Sequence, residues 1–367
     1  MGHKHLAPNS TIGILGGGQL GRMAALAAAN LGYRCHIFTP EADSPAAQVS
    51  AAATVASFDD HNALTAFAQA VDVVTLEFEN VPPAAVEFLA RTTPVRPGAD
   101  ILRLAQHRAL EKTAAVEHGL TPVPWKPVTS LAELEAALTD IGAPAVLKTS
   151  RLGYDGKGQR MIETAEQAAD AWQALNTDDA VLEKRIDLAG EISVITVRGL
   201  DGTVLAYPPG ENIHKDHILD TTRVPAQIPD ALVSKATEDA KALADALGYI
   251  GVLGVEFFIA QDGSLYFNEM APRPHNSGHW TMDAAITSQF EQQVRAVAGL
   301  PLGPVDQRCP VIMENLVGDP TERAEAATAD PRGKLHLYGK AEARAGRKMG
   351  HINWLDCQTV PDTPGTE

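Results

Sequence analysis

LGVEFFIAQDGSLYFNEMAPRPHNSGHW, residues 253–280, is the stretch on which the reading of this chain turns. Two apolar runs flank Asp262-Gly263, a pair that favours a two-residue hairpin turn because a type I′ turn needs φ > 0 at both central positions. Such a turn sets Glu256 opposite Glu269 on one face of the ladder, with Cβ atoms about 5 Å apart. Two ionised carboxylates held that close repel, so a shared proton, a basic side chain or a cation must compensate. Hard oxygen ligands on a rigid hairpin suit Mg²⁺, which takes one or two protein carboxylates and completes its octahedron with substrate phosphates and water. An edge hairpin carrying two solvated glutamates has the same pattern, and the surrounding residues have to decide.

Composition narrows the choice. A chain of 367 residues with 45% hydrophobic and 21% charged residues is long enough for two or three domains with substantial cores. Its formal charge of −16 argues against a nucleic-acid or anionic-membrane partner, both of which need a broad basic surface. Anionic ligands must therefore be held by local basic clusters. No apolar run approaches the roughly 20 residues of a membrane span. Cys35, Cys309 and Cys357 form no CxxC or Cys/His metal pattern, which fits a reduced, cytoplasmic setting. Residues 1–10 read as a disordered leader without a signal-peptide core.

A first α/β domain is expected over residues 11–105. TIGIL (11–15) is a short strand, GGGQLGRM (16–23) opens an alanine-rich helix to about Asn30, and Arg34–Phe38 is the second strand. Gly16, Gly18 and Gly21 match GxGxxG, but no acidic residue ends the second strand before Pro40, so a dinucleotide site is disfavoured. The loop is left as either a phosphate or substrate contact at the helix N-terminus or a tight structural turn. Asp72–Glu77 is a buried strand whose carboxyl end, Glu77 to Pro82, lies where open α/β sheets collect ligands, although an acidic strand end capping a neighbouring helix has the same pattern. One helix is expected from about Ala99 to Gly119.

Ser130 with Glu133, and Thr164 with Gln167, are capping boxes for two further helices. Between them the strand 145–149 carries Lys148 and leads into Gly153-Tyr154-Asp155-Gly156-Lys157-Gly158-Gln159, a mobile loop whose amides can wrap phosphates. It is not a P-loop, because no GK[ST] opens a helix after it. Glu183 and Glu191 stand at the ends of two strands, where carboxylates often grip hydroxyl groups. ENIHKDHILD (211–220) has no metal or triad spacing and defaults to a solvated loop. A helix is expected from about Asp283 to Ala298. A β-rich segment follows, in which Lys340, Arg344, Arg347 and Lys348 suggest an anion pocket or merely a charged hairpin face.

Together, a strand lysine, a glycine-rich loop and a later glutamate hairpin ending in Asn-Glu resemble the ATP-grasp superfamily. Within it, GGGQLGRM, LEFENVP (76–82), GYDGKGQ (153–159), ENIHKD (211–216), NEMAPRPHNSGHWT (268–281) and GRKMGH (346–351) resemble the 5-(carboxyamino)imidazole ribonucleotide synthases of purine biosynthesis over nearly the whole chain. The resemblance implies an α/β (α+β overall) architecture in three parts: a Rossmann-like pre-ATP-grasp domain (11–105), a two-lobed ATP-grasp core (106–300) and a small C-terminal β-rich domain (301–367). The chain ends in TVPDTPGTE without the closing amphipathic helix expected after the last strand.

The same resemblance implies ATP- and bicarbonate-dependent carboxylation of 5-aminoimidazole ribonucleotide through carboxyphosphate, with Mg²⁺, in a cytoplasmic homodimer. Arg108, assisted by Lys112, and Lys148 would contact the nucleotide phosphates, with Gly153–Gln159 closing over them. Glu183, Lys184, Arg185 and Ile186 would hold adenine, mostly through backbone groups, with Glu191 on the ribose and His214 on the nucleotide. Glu256, Asn268 and Glu269 would surround the metal. Arg273 would bind bicarbonate and stabilise the transferring phosphate, and His275 would orient groups or move a proton. Arg347 and Lys348 would take the ribonucleotide phosphate, with Lys348 also in the catalytic group. Gln19, Glu79, Tyr154, Asp155 and Asn276 complete the expected substrate contacts. A different ATP-grasp ligase would share the metal hairpin but not NEMAPRPHNSGHW with GRKMGH. An NAD(P) oxidoreductase would leave residues 153–159 unexplained, and a non-enzymatic nucleotide binder would show no turnover.

Overall fold

The computed structural model describes residues 5–151, 153 and 157–356. Its N-terminal part is a parallel sheet of β1 (Thr11–Leu15), β2 (Arg34–Thr39), β3 (Ala52–Val55) and β4 (Val73–Leu76), in the order β3-β2-β1-β4. Near-continuous apolar strands such as TIGIL and VVTL are what a parallel sheet covered on both faces requires. Residues 5–10, expected to be a loose leader, are tied down. Leu6 N–H donates to Ala298 O, Asn9 N–H to Gly32 O and Arg34 N–H to Ser10 O.

The middle of the chain builds an antiparallel sheet from β5 (Trp125–Val128), β6 (Ala145–Thr149), β7 (Gln159–Ile162) and β8 (Ala180–Lys184), ordered β5-β8-β6-β7. Ser130 Oγ accepts from Glu133 N–H to start the helix Leu131–Ile141, and Gly142 at φ 78° ends it. This lobe has its own core of Val128, Leu134, Leu138, Leu147, Ile162 and Leu182.

A large sheet follows: β9 (Leu188–Arg198), β10 (Val204–Ala206), β11 (Gly210–Lys215), β12 (Ile218–Val224), β13 (Gly251–Ala260), β14 (Leu265–Ala271), β15 (Val311–Val317), β16 (Gly333–Leu337) and β17 (Lys348–Leu355). The order is β14-β13-β9-β11-β12-β15-β17-β16, with β10 on β9. The C-terminal strands thus continue this sheet through the β12–β15 pair.

Three local expectations are corrected. ENIHKDHILD is a hairpin, β11 to β12, turned by Asp216 and His217 at φ 51° and 64°. The helix expected over 99–119 breaks into Ala99–Ala105 and Arg108–Glu117, because His107 is extended and Arg108 N–H bonds Ser150 O. The helix expected over 283–298 is likewise two pieces, Thr281–Ala284 and Gln289–Ala298, the second capped by Ser288. Cys35 is a free, buried thiol.

Candidate active site

The hairpin pairs Glu256 with Glu269 as expected, but by a different route. Only Gly263 has positive φ, at 84°; Ala260 and Ser264 flank a three-residue loop, and Gly263 N–H donates to Ala260 O. That loop shifts Phe257 onto Phe267, and a bulge at Asn268 restores Glu256 to Glu269. In a regular strand Asn268 and Glu269 would face opposite sides. With the bulge both are half-buried between buried Phe267 and Met270, and both line one cavity.

This cavity, of about 490 Å³, lies where the three sheets converge. Gln19, Glu77 and Glu79 come from the N-terminal part, and Arg108, Lys148, Gly153, Lys157 and Gln159 from the middle lobe and the helix before it. Glu191, His214, Glu256, Asn268, Glu269, Arg273, His275, Asn276 and Lys348 come from the large sheet and its loops. Tyr154, Asp155 and Gly156 lie outside the described residues, as does the chain end after Asp356. Gly158, at φ 71°, packs beside Thr149, where a Cβ would meet Oγ1 at 2.6 Å.

Each charged group here has a specific partner. Arg108 Nη1 donates to Glu269 Oε2 at 3.2 Å, and Arg273 forks onto Glu79, with Nη2 to Oε1 at 2.9 Å. Burial pushes the Glu79 carboxyl up, but the Arg273 guanidinium outweighs it and holds the group at about 2. His214 Nδ1 meets Glu191 Oε2 at 3.2 Å, and His275 Nε2 meets Glu256 Oε1 at 3.0 Å. Burial raises Glu256 as well; the His275 hydrogen bond and charge reverse that and leave its carboxyl below the ordinary value. Glu111, wholly buried beneath the hairpin, accepts from Met270 N–H at 2.6 Å, and burial lifts it to about 8, so it is mainly protonated at neutral pH.

Several expected binders have their side chains engaged elsewhere. Glu183 does not line the cavity; it is buried between Lys148 Nζ at 2.6 Å and Lys112 Nζ at 3.0 Å. Lys184 donates to the carbonyls of Gly142 and Ala143, Arg185 pairs with Glu163, and Ile186 is also absent from the lining. Arg347 is turned away as well, donating to Glu342 O, while Arg344 pairs with Glu342; of the basic cluster only Lys348 reaches the cavity. Nor is the GGGQLG helix N-terminus open to a phosphate. Glu77 Oε1 accepts from Leu20 N–H at 3.2 Å and sits so close to Gly18 that a Cβ there would be 2.3 Å away. Burial raises the Glu77 carboxyl, only partly offset by Arg273 and these amides.

Leu20, Phe78, Leu188, His217, Leu219 and Phe258 also line the cavity and were not expected there. Phe258 was findable, since it shares the Glu256 face at i+2. His217 was not, because its hairpin was not recognised.

Burial pushes Glu183 up, yet Lys148 and Lys112 override this and hold its carboxyl at about 2. A carboxyl depressed in the folded state stabilises above its unfolded pKa of about 4.3, and that contribution is lost as pH falls towards 2. Glu183→Ala is expected to destabilise by about 3–5 kcal/mol at pH 7, since it strands buried Lys112. Chemical denaturation between pH 7 and pH 3 should also show a weaker acid-side loss in the variant than in the wild type.

Two carboxylates and an amide group on one hairpin face a cavity with Arg108 and Lys148 behind them, an arrangement of the ATP-grasp type. Family models match in the same places: an ATP-grasp domain over residues 113–290, a ribonucleotide synthetase preATP-grasp domain over 9–106 and a phosphoribosylaminoimidazole carboxylase C-terminal domain over 311–359. The N5-carboxyaminoimidazole ribonucleotide synthase of Brucella melitensis is 48% identical over 97% of this chain and 99% of its own length. An N5-carboxyaminoimidazole ribonucleotide synthetase crystallised as its ADP complex superposes with a TM-score of 0.92 at 43% identity, covering 96% of this chain and 94% of that one. The Aspergillus clavatus enzyme with ADP and 5-aminoimidazole ribonucleotide has a TM-score of 0.87 at 32% identity, covering 95% and 94%. The chain belongs to the N5-carboxyaminoimidazole ribonucleotide synthase family.

Proposed function

We propose that the protein uses ATP and bicarbonate to carboxylate the exocyclic amine of 5-aminoimidazole ribonucleotide, releasing ADP and phosphate. The observation that carries this reading is the meeting, in one cavity, of Glu256, Asn268 and Glu269 with Arg273, His275 and Lys348. A bicarbonate oxygen attacks the γ-phosphorus as its bond to the β-bridging oxygen breaks, giving carboxyphosphate and ADP. The amine then bonds to the carboxyl carbon, the carbon–oxygen bond to phosphate breaks, and the amine loses a proton.

Phosphoryl transfer needs placement and charge neutralisation more than covalent help. Bound Mg²⁺ would supply part of that neutralisation. The oxygen donors Glu256, Asn268 and Glu269 fit it, and only one oxygen of Glu256 is taken by His275. Arg108 and Lys148 hold the phosphates, and the loop around Gly153, Lys157 and Gln159 shields the labile intermediate from water. Arg273, its fork held by Glu79, lends its charge to bicarbonate, Lys348 attracts the ribonucleotide phosphate, and Gln19, Glu79 and Asn276 border the same cavity. Asn276 Nδ2, buried and unpartnered, is a donor available to substrate. Glu191 and His214 stand as a pair for the nucleotide ribose. No helix among the described residues is long and apolar enough to cross a membrane. A cytoplasmic homodimer is the setting the family resemblance supports.

The test is phosphate release with Mg²⁺ and ATP. It should rise sharply only when the ribonucleotide and bicarbonate are both present. Release indifferent to the ribonucleotide but responsive to another amine or acid would remove the substrate assignment.

A further inference from the structure

A chain of buried hydroxyl and amide groups runs from His275 into the large sheet. His275 Nδ1 is 2.7 Å from Ser277 Oγ, and Ser277 Oγ is 2.6 Å from Ser193 Oγ on β9. Ser193 Oγ lies 3.5 Å from Asn212 Oδ1 on β11, which accepts from Thr222 Oγ1 on β12 at 2.9 Å. All four partners are buried. Polar groups there cost more than the aliphatic side chains that would fill the same strands, unless their hydrogen bonds serve a purpose.

The distances along this chain favour one direction. The short Ser193–Ser277 contact takes the Ser193 proton, since Ser193 lies farther from Asn212 Oδ1, which Thr222 already serves. Ser277 then aims its own proton at His275 Nδ1. The Ser277 backbone N–H also points at Nδ1, at 3.4 Å, and a proton on Nδ1 would set donor against donor. The ring hydrogen is therefore on Nε2, directed at Glu256 Oε1. Gln289 holds the backbone on either side of the ring, accepting from His275 N–H at 2.9 Å and donating to His275 O at 2.8 Å. Gly254 leaves the room, as a Cβ there would sit 2.7 Å from His275 Cβ.

We infer that Ser277, Ser193, Asn212 and Thr222 form a positioning network that holds His275 in its Nε2–H tautomer, facing the metal carboxylate and the bicarbonate end of the cavity. The network deepens the carboxylation reading and rests on it for its catalytic consequence. Its members are positioning residues that act only through the His275 ring.

Two measurements test it on the full chain. Nitrogen-15 histidine spectra, with His275 assigned by its loss in His275→Gln, should show a pure Nε2–H tautomer in the wild type and a mixture in Ser277→Ala. In steady state, Ser277→Ala should lower kcat by about tenfold to a hundredfold with KM for ATP nearly unchanged, and Ser193→Ala should lower it less. Should Ser277→Ala not fold, Thr222→Val, which frees Asn212 without touching Ser277, supplies the same two readouts at smaller amplitude. A wild-type Nδ1–H tautomer, or a folded Ser277→Ala with unchanged kcat, overturns the inference. Wild-type protein that shows the tautomer but no ribonucleotide-dependent turnover instead overturns the carboxylation reading and leaves the tautomer assignment standing.

Discussion

Glu269→Gln is expected to abolish most ATP turnover while leaving the fold intact. The substitution keeps the shape of the side chain and removes the charge that faces Glu256 across the ladder. A metal at a transferring phosphate is worth several kcal/mol of charge stabilisation. At about 1.4 kcal/mol per tenfold, a kcat loss on the order of a thousandfold follows. The Mg²⁺ concentration for half-maximal rate should rise as well. Stability should change little, because the Glu269 side chain is 42% exposed and its ion pair with Arg108 is partly solvated. Phosphate release and a melting curve check both halves; near-normal rates would remove the metal role from this residue.

Arg273→Ala is expected to have an effect of similar size by a different route. A guanidinium aimed at a transferring phosphoryl group commonly accounts for about 10³-fold or more in kcat. Arg273→Lys should recover only part of this, because an ammonium retains the charge but not the planar fork that Glu79 holds in place. Glu79 pins the guanidinium, so Glu79→Gln should lower kcat less than Arg273→Ala while loosening the same geometry. The discriminating pattern is a fall in kcat with little change in KM for ATP. A pure rise in KM for ATP would make Arg273 a nucleotide-binding residue instead.

The comparison of two hairpins shows how much of this site was legible in the chain. Asp262-Gly263 is a strong turn signal and does turn the chain, but through a three-residue loop in which only Gly263 has positive φ. Asp216-His217 is a weak signal and yet forms the two-residue turn, because strand pairing on both sides holds two non-glycine residues at positive φ. Glu256 and Glu269 face each other only because the bulge at Asn268 compensates for the longer loop. The expected pair is correct, and the expected geometry that produced it is not. The bulge adds what regular alternation would have denied, a third oxygen donor on the same face.

The chain alone determined the pieces whose logic is local. These are the parallel opening strands, the Ser130 cap, the glycine-rich loop after Lys148 and the carboxylates of the hairpin. Their signals are periodicity, turn chemistry and capping, all read within a few residues. Only the tertiary structure decided where charge is consumed. Glu77 closes the GGGQLG helix N-terminus, Lys112 and Lys148 converge on Glu183, Arg347 bonds its own turn, and Glu79 forks Arg273 from 194 residues away. The serine chain behind His275 joins four separate segments in the same manner. Buried charges and hydroxyls must find partners wherever packing brings them, and a pairing between distant segments leaves no period in the sequence.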